Sequence, residues 1–347
     1  MSKTKLLYTT CHPWLERSDV WIYNHLGFDV CSTGYFQVPS KPLSPYAPPL
    51  NISHNEDLLK EFKSTNPDYT YGYKIPLNLT PEFIRKFDVI VVTWRYDYLV
   101  QILPHITDNQ VVLFQTVGQS DGKREREIFQ ARNSKGVKVI RMSESEQNFP
   151  GFGGGDAIID LAIDTEQFKP WTGEDSYVLS INKMMWRTRE CNVDHYLKST
   201  NGFPRKLYGT DNESFKHDFS LGPISSEDLL DAYSKARLCF SLGTKPGPVT
   251  ITFKEAMAAG CPVVTWGPIL GNGPAKTYTA YKYIQNGVNG FYSDNIAELR
   301  SHIQALLDSQ EYAALISHES IKTAKKEFSL QAIAPLWEKL YKDLGVL

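Results

Sequence analysis

One stretch of this chain, Leu221 to Gly267, narrows its possible folds more than any other: LGPISSEDLLDAYSKARLCFSLGTKPGPVTITFKEAMAAGCPVVTWG. Ser226–Ala236 has helical spacing behind a start signal, with Ser225 or Ser226 ahead of Glu227 and Asp228. Leu238–Leu242 is a short apolar strand, and Lys245 to Thr252 is a loop by its proline and glycine content. Phe253–Ala259 predicts a short helix that Gly260 ends, and Pro262–Trp266 a buried strand. A loop that enters a helix aims backbone N–H groups forward, and the helix dipole adds roughly half a positive charge there. The entry at Thr250, Ile251 and Thr252 is therefore an expected anion site, and phosphate is the usual anion. One of the two threonines could instead simply cap the helix.

The same alternation runs along the whole chain. Residues 4–9, Phe28–Cys31, Phe87–Trp94, Gln110–Gln115 and Val137–Met142 read as strands, with helical spacing at Asp19–Leu26, Pro81–Phe87 and Arg124–Arg132. Runs apolar on both faces predict central strands of a parallel sheet covered by helices. A proline-rich passage from Val38 to Leu50, interleaved with Tyr and Leu, predicts an ordered loop. From Ser176 the pattern restarts. Strands are predicted at Tyr177–Ile181, Arg205–Tyr208 and Gly290–Tyr292, and helices at Asn192–Lys198, Ile296–Asp308 and Ser329–Leu344. At 347 residues the chain suits two domains of roughly 100–200 residues. The fold class is α/β, with two Rossmann-like doubly wound domains. The expected boundaries are 1–168 and 169–328, with the last helix, 329–347, packing back on the first domain. The glycine run Gly151 to Gly155 precedes a strand and lacks a third glycine at dinucleotide-binding spacing, so it predicts a flexible interdomain connector.

Composition removes several classes. A net charge of −2 gives no global pull toward nucleic acid or anionic membrane. Five scattered cysteines without a CxxC pair argue against a zinc or redox motif and for reduced thiols. The start of the chain lacks a signal peptide's apolar core, and no apolar run approaches the ~20 residues of a membrane span. A cytoplasmic protein without a transmembrane segment is expected.

Four motifs in order then carry a resemblance. Ala162 to Pro170 (AIDTEQFKP), Leu221 to Leu229 (LGPISSEDL), Phe253 to Val264 (FKEAMAAGCPVV) and Tyr283 to Phe291 (YIQNGVNGF) resemble the signature segments of GT-B fold glycosyltransferases of the retaining family-four type. The likeness covers residues 157–345 well and the N-terminal half in outline. It implies two domains facing each other across a cleft, the first binding the acceptor and the second a nucleotide-sugar donor. The implied reaction is transfer of a sugar, with retention at the anomeric carbon, from a nucleotide-diphosphate sugar to an acceptor hydroxyl. No metal or other cofactor is implied, and a UDP-sugar is the first expectation for the co-substrate. The acceptor could be a glycan, a lipid-linked sugar or a modified nucleic acid.

Residue roles follow from the same resemblance. Glu255 would accept hydrogen bonds from the donor ribose; without that role it is a carboxylate in the first helical turn that complements the dipole. Asn182, Lys183 and Arg187 follow the second domain's first strand, where relatives grip the diphosphate, and Lys183 and Arg187 are the expected catalytic cations. A solvated basic loop is the bland alternative. Gly222 and Ile224 would face the base through backbone atoms. Gly247 stands where relatives usually carry the first of two glutamates, so sugar identity stays open. Lys245 would contact sugar or phosphate, or simply be solvated. In the first domain, His12 and Gln115 are the catalytic candidates, in loops that also include Thr93 to Asp97. Gly247 leaves room for a catalytically silent nucleotide-sugar binding protein. A faint likeness around Trp186 and Arg187 to phage DNA glucosyltransferases leaves room for an enzyme acting on modified bases in DNA.

Overall fold

The computed structural model describes residues 3–9, 13–34, 52–67, 77–118, 122–148, 153–183, 185–243, 247, 250–272 and 278–347. The proline-rich passage and the two loop residues His12 and Lys245 lie outside them. The chain forms two compact units, Met1–Ala162 with Leu330–Leu347, and Ile163–Ser329.

The first unit is built on a parallel sheet of β1 (Lys5–Thr9), β2 (Asp29–Ser32), β3 (Val89–Thr93), β4 (Val111–Gln115), β5 (Lys138–Arg141) and β6 (Ala157–Ile158). The strand order is β2-β1-β3-β4-β5-β6. All five residues of β3 are buried, which is why its sequence is apolar without alternation. Ile90 and Val92 face one core, with Leu7, Phe114 and Val139. Helices α2 (Glu56–Thr65), α3 (Pro81–Ile84), α4 (Tyr96–Ile102) and α5 (Gly122–Lys135) cover it through Phe62, Phe83, Leu99 and Ile128. Val89 and Val91 face the opposite core, with Leu6, Tyr8 and Leu113, under α1 (Pro13–His25) and the last helix, Leu330–Asp343. That last helix enters this core through Ile333, Trp337 and Tyr341. Each such side chain contributes roughly 1.5–3 kcal/mol by leaving water.

The glycine run is not an interdomain connector. Gly153 to Gly155 lead into β6 at the sheet edge of the first unit. Asp156 accepts the Val139 N–H at 2.8 Å, and its own N–H donates to the Val139 carbonyl at 2.7 Å. A Cβ at Gly155 would sit 2.8 Å from Arg141 Cγ and 3.2 Å from the Val139 oxygen, so the glycine permits a close strand approach. Arg141 is itself buried. Its two terminal nitrogens donate to Glu125 at 3.0 and 2.7 Å, and Nε donates to the Gly154 carbonyl at 2.9 Å.

Glu146, in α6 (Glu144–Gln147), is also fully buried. Burial pushes its carboxyl up to about 7; the Met142 N–H at 2.8 Å and the Arg141 charge oppose the shift. The folded state thus holds this proton more firmly than the unfolded chain, whose value is near 4.5. Its stabilising effect is complete below that value and is lost as pH rises through about 7. Denaturant titrations across this window are expected to show the wild type losing roughly 3 kcal/mol relative to Glu146→Gln. Parallel pH profiles for the two proteins would contradict the assignment.

The second unit holds a parallel sheet of β7 (Asp175–Ile181), β8 (Arg205–Tyr208), β9 (Ala236–Ser241), β10 (Val263–Trp266) and β11 (Phe291–Ser293), in the order β11-β10-β9-β7-β8. Beside β8, residues 219–222 add a further rung: Leu207 N–H donates to Phe219 O, Leu221 N–H to Leu207 O, and Gly209 N–H to Gly222 O, each at 2.8 Å. The helices are α7 (Val193–Thr200), α8 (Ser226–Lys235), α9 (Ile251–Ala258), α10 (Pro268–Asn272), α11 (Ile296–Asp308) and α12 (Gln310–Phe328); the chain's last helix, in the first unit, is α13. The four described cysteines are free and buried. Among the described residues no helix is long and apolar enough to cross a membrane.

Candidate functional site

In the second sheet the chain runs from β7 outward to β8, then returns to place β9 on the other side of β7. The strand order reverses between β7 and β9, and open α/β sheets bind ligands outside the carboxyl ends of the strands at such a point. Two loops open there. One follows β7 at Asn182; the other follows β9 and leads into α9.

The loop after β7 carries the cations. Lys183 is exposed, yet the protein around its ammonium lowers its pKa; nearby Asp211 opposes that shift and Arg187 adds to it. Both cations follow β7 in the same loop. Arg187 is partly exposed, and its terminal nitrogen lies 3.7 Å from Glu190. Two cations in one loop, with Asp211 and Glu190 as acidic neighbours, suit an anion.

Asn182 does not join them at the surface. It is buried, its amide donates to Met185 Sδ at 3.2 Å, and its carbonyl accepts from Asn212 at 2.9 Å. Asn212 also accepts the Met185 N–H at 2.9 Å, so it ties the loop after β7 to the loop after β8. A Cβ at Gly209 would collide with the Asn182 carbonyl, and only glycine lets the two loops meet. Sequence reasoning missed Asn212; its one signal is a polar residue in a short Gly-Thr-Asp-Asn turn after a strand.

At the second loop, α9 begins two residues earlier than expected, at Ile251. Thr250 occupies the cap position with extended backbone but makes no side-chain cap; its hydroxyl lies 3.1 Å from that of Thr252. Among the described residues no side chain caps this helix start, and its Phe253 N–H donates to the Thr250 carbonyl at 3.2 Å. The earlier start moves Glu255 out of the first turn into the second. There it is only 2% exposed and accepts from Tyr233 Oη at 3.2 Å. Burial, then the Glu255 charge, raises the Tyr233 phenol well above its ordinary value. Gly247 is half-buried in the loop ahead of the helix.

Gly222 and Pro223 line a groove of about 340 Å³ with Asn212, Phe215, His217 and Leu221, in the segment that follows β8. Ile224 is buried beside it. In the first unit, Gln115 is buried at the end of β4; its side chain accepts from Thr93 at 3.2 Å. The second unit therefore carries Lys183, Arg187 and Thr250 to Thr252 in the segments that follow the adjacent strands β7 and β9, whereas Asn182, Glu255 and Gln115 are held by protein partners. Among the described residues no three His, Cys, Asp or Glu side chains cluster as metal ligands.

Residues 189–338 match the family model described as glycosyl transferase-like. No curated protein sequence matches. Among solved structures, the Anabaena protein HepE, in complex with UDP and glucose, superposes with a TM-score of 0.68 at 15% identity, covering 99% of this chain and 100% of that one. Sucrose-phosphate synthase from Thermosynechococcus elongatus gives 0.66 at 15% identity, covering 99% of each chain. TarM of S. aureus, with UDP bound, gives 0.57 at 14% identity, covering 73% of this chain but 55% of its own length. This chain spans about half the length of TarM. Two parallel sheets flanked by helices, shared along full-length neighbours, are the GT-B fold, and within it residues 189–338 match the glycosyl transferase-like family model.

Proposed function

We propose that this chain is a nucleotide-sugar-dependent glycosyltransferase that uses a UDP-sugar, retains anomeric configuration and needs no metal. One observation carries the reading. The strand-order reversal of the second sheet coincides with a loop that carries Lys183 and Arg187 and a helix start without a side-chain cap. A pyrophosphate suits that combination, because N–H groups and cations both favour anionic oxygens. The solved neighbours HepE and TarM, crystallised with UDP, support the uracil nucleotide.

In the proposed step the bond between the sugar's anomeric carbon and the leaving phosphate oxygen breaks. A bond from the acceptor oxygen to the same carbon and on the same face forms. The acceptor proton passes to the departing phosphate, and nucleoside diphosphate leaves. Lys183, Arg187 and the α9 start stabilise the charge gathering on that phosphate. The second unit serves as the donor domain and the first as the acceptor domain. Glu255 would reach the ribose from its pair with Tyr233.

A calorimetric titration with UDP-glucose, joined to an assay of UDP release, tests this. The wild type is expected to bind and turn over the donor; binding without release would assign a silent binding protein. Glu255→Gln, which leaves Tyr233 an acceptor, is expected to weaken donor binding by about 1–2 kcal/mol. Unchanged affinity would assign Glu255 to the core alone.

A further inference from the structure

The turn that follows β5 buries an ionisable group where a charge has little support. Glu146 lies on α6, a single helical turn at the carboxyl end of β5, and is fully buried. One of its carboxyl oxygens accepts the Met142 N–H at 2.8 Å. Among the described residues no hydrogen-bond partner reaches the other, Oε1, which is buried as well. An ionised carboxylate offers about four acceptor sites, and a single N–H is poor compensation for leaving water. The charged groups that face it are Arg141 on β5, which favours ionisation, and Glu125 on α5, which opposes it. Arg141 already donates twice to Glu125 and, through Nε, to the Gly154 carbonyl. Turning it toward Glu146 would strand Glu125, itself only 1% exposed. Thr116, just past β4, gives weaker help, since its hydroxyl donates to the Ile140 carbonyl at 3.2 Å.

A charge on Glu146 must therefore be met by movement, and the two sides of the site resist it unequally. Arg141 sits in a strand paired on both edges, with β4 and with β6. The turn is held by less. Gln147 N–H donates to the Ser143 carbonyl at 3.1 Å, Asn148 N–H to the Glu144 carbonyl at 2.8 Å, and Glu146 N–H to the Ser143 hydroxyl at 3.3 Å. A helix of one turn has little stability of its own. Gln147 Oε1 is also buried, and among the described residues it too lacks a hydrogen-bond partner. The closed turn thus keeps water from a second acceptor, which costs free energy. Opening α6 would hydrate both side chains and leave the Arg141–Glu125 pair intact.

We infer that Glu146 is a proton-operated latch on the turn after β5: protonated, it holds α6 closed; ionised, it lets α6 open into water while the sheet stays folded. The latch belongs to the first unit and stands apart from the transferase reading. Hydrogen exchange of the full chain between pH 5 and 8, with each rate divided by the intrinsic rate at that pH, tests it. The raised carboxyl favours the closed form fully below its ordinary value of 4.5, and that advantage is lost as pH rises to about 7. Protection of the Met142, Gln147 and Asn148 amides is expected to fall about tenfold per pH unit from pH 5 to 7 and then level off. Glu146→Gln, which keeps an acceptor for the Met142 N–H, should abolish that slope. Glu146→Met, which removes the acid with an apolar side chain, carries the same expectation should the first variant fold poorly. At each pH the β4 and β5 amides should exchange at least about 100-fold more slowly than those of α6, because the opening is local.

Three results would overturn the latch. The first is wild-type protection of these amides that stays level from pH 5 to 7. The second is a slope that survives the loss of the Glu146 acid. The third is α6 amides that exchange no faster than those of β5, which would mean that Glu146 meets water only when the whole unit unfolds.

Discussion

Arg187→Ala is expected to lower kcat for sugar transfer by about 100- to 1,000-fold, the usual loss when one preorganised stabiliser of developing charge is removed. The fold should not change. Arg187 is partly exposed, and its approach to Glu190 at 3.7 Å is a surface ion pair worth about 0–1 kcal/mol. Arg187→Lys should recover only part of the rate, since an ammonium cannot reproduce the guanidinium's two-pronged grip on phosphate oxygens. Lys183 gives an internal control. Arg187 helps to lower its pKa, so removing Arg187 should let that pKa rise. Steady-state kinetics at saturating donor, with melting curves alongside, check the prediction. A loss below about threefold would place the catalytic cation elsewhere.

The second large effect concerns stability. Glu125→Ala or Arg141→Ala is expected to cost about 3–5 kcal/mol, because each strands a buried charge. Both side chains are only 1% exposed, and they meet through two bonds at 3.0 and 2.7 Å. The same physics predicts that Glu125→Leu combined with Arg141→Met recovers most of the loss, since no uncompensated charge remains. Chemical denaturation midpoints decide it. A single variant that loses less than about 1 kcal/mol would mean that water reaches the pair.

The contrast between these two sites shows what a sequence discloses. β3 and β4 are legible because strands buried on both faces are written as largely apolar runs without alternation. Helix α12 is not legible, although it is the longest described helix. Its buried face is largely Ala313, Ser317, Ser320 and Ala324, so the large apolar side chains that mark helical spacing are few. Its small residues let it pack closely on α9, with Ser320 Oγ 3.4 Å from the Met257 carbonyl. Helices α2 and α4 also escape the reading. The glycine run misleads because glycine marks close strand approach as readily as flexibility, and Gly155 serves the former.

At the candidate site, the motifs locate the loops but not which side chains face them. Spacing places Glu255 beside the phosphate-facing loop, while an earlier helix start turns it toward Tyr233. Trp94 and Asn212 show in the sequence only as members of a candidate loop and of a short polar turn. A positive φ at tryptophan and a buried amide tying two loops are consequences of tertiary structure.

The account stands on a pyrophosphate docking where the second sheet's strand order reverses. Calorimetric titration of the wild type and Arg187→Ala with uridine and with UDP measures that directly. The account predicts that UDP binds the wild type at least about tenfold more tightly than uridine, and that Arg187→Ala erodes this advantage while leaving uridine affinity unchanged. Equal affinities for the two ligands, or a UDP affinity indifferent to Arg187, would contradict it.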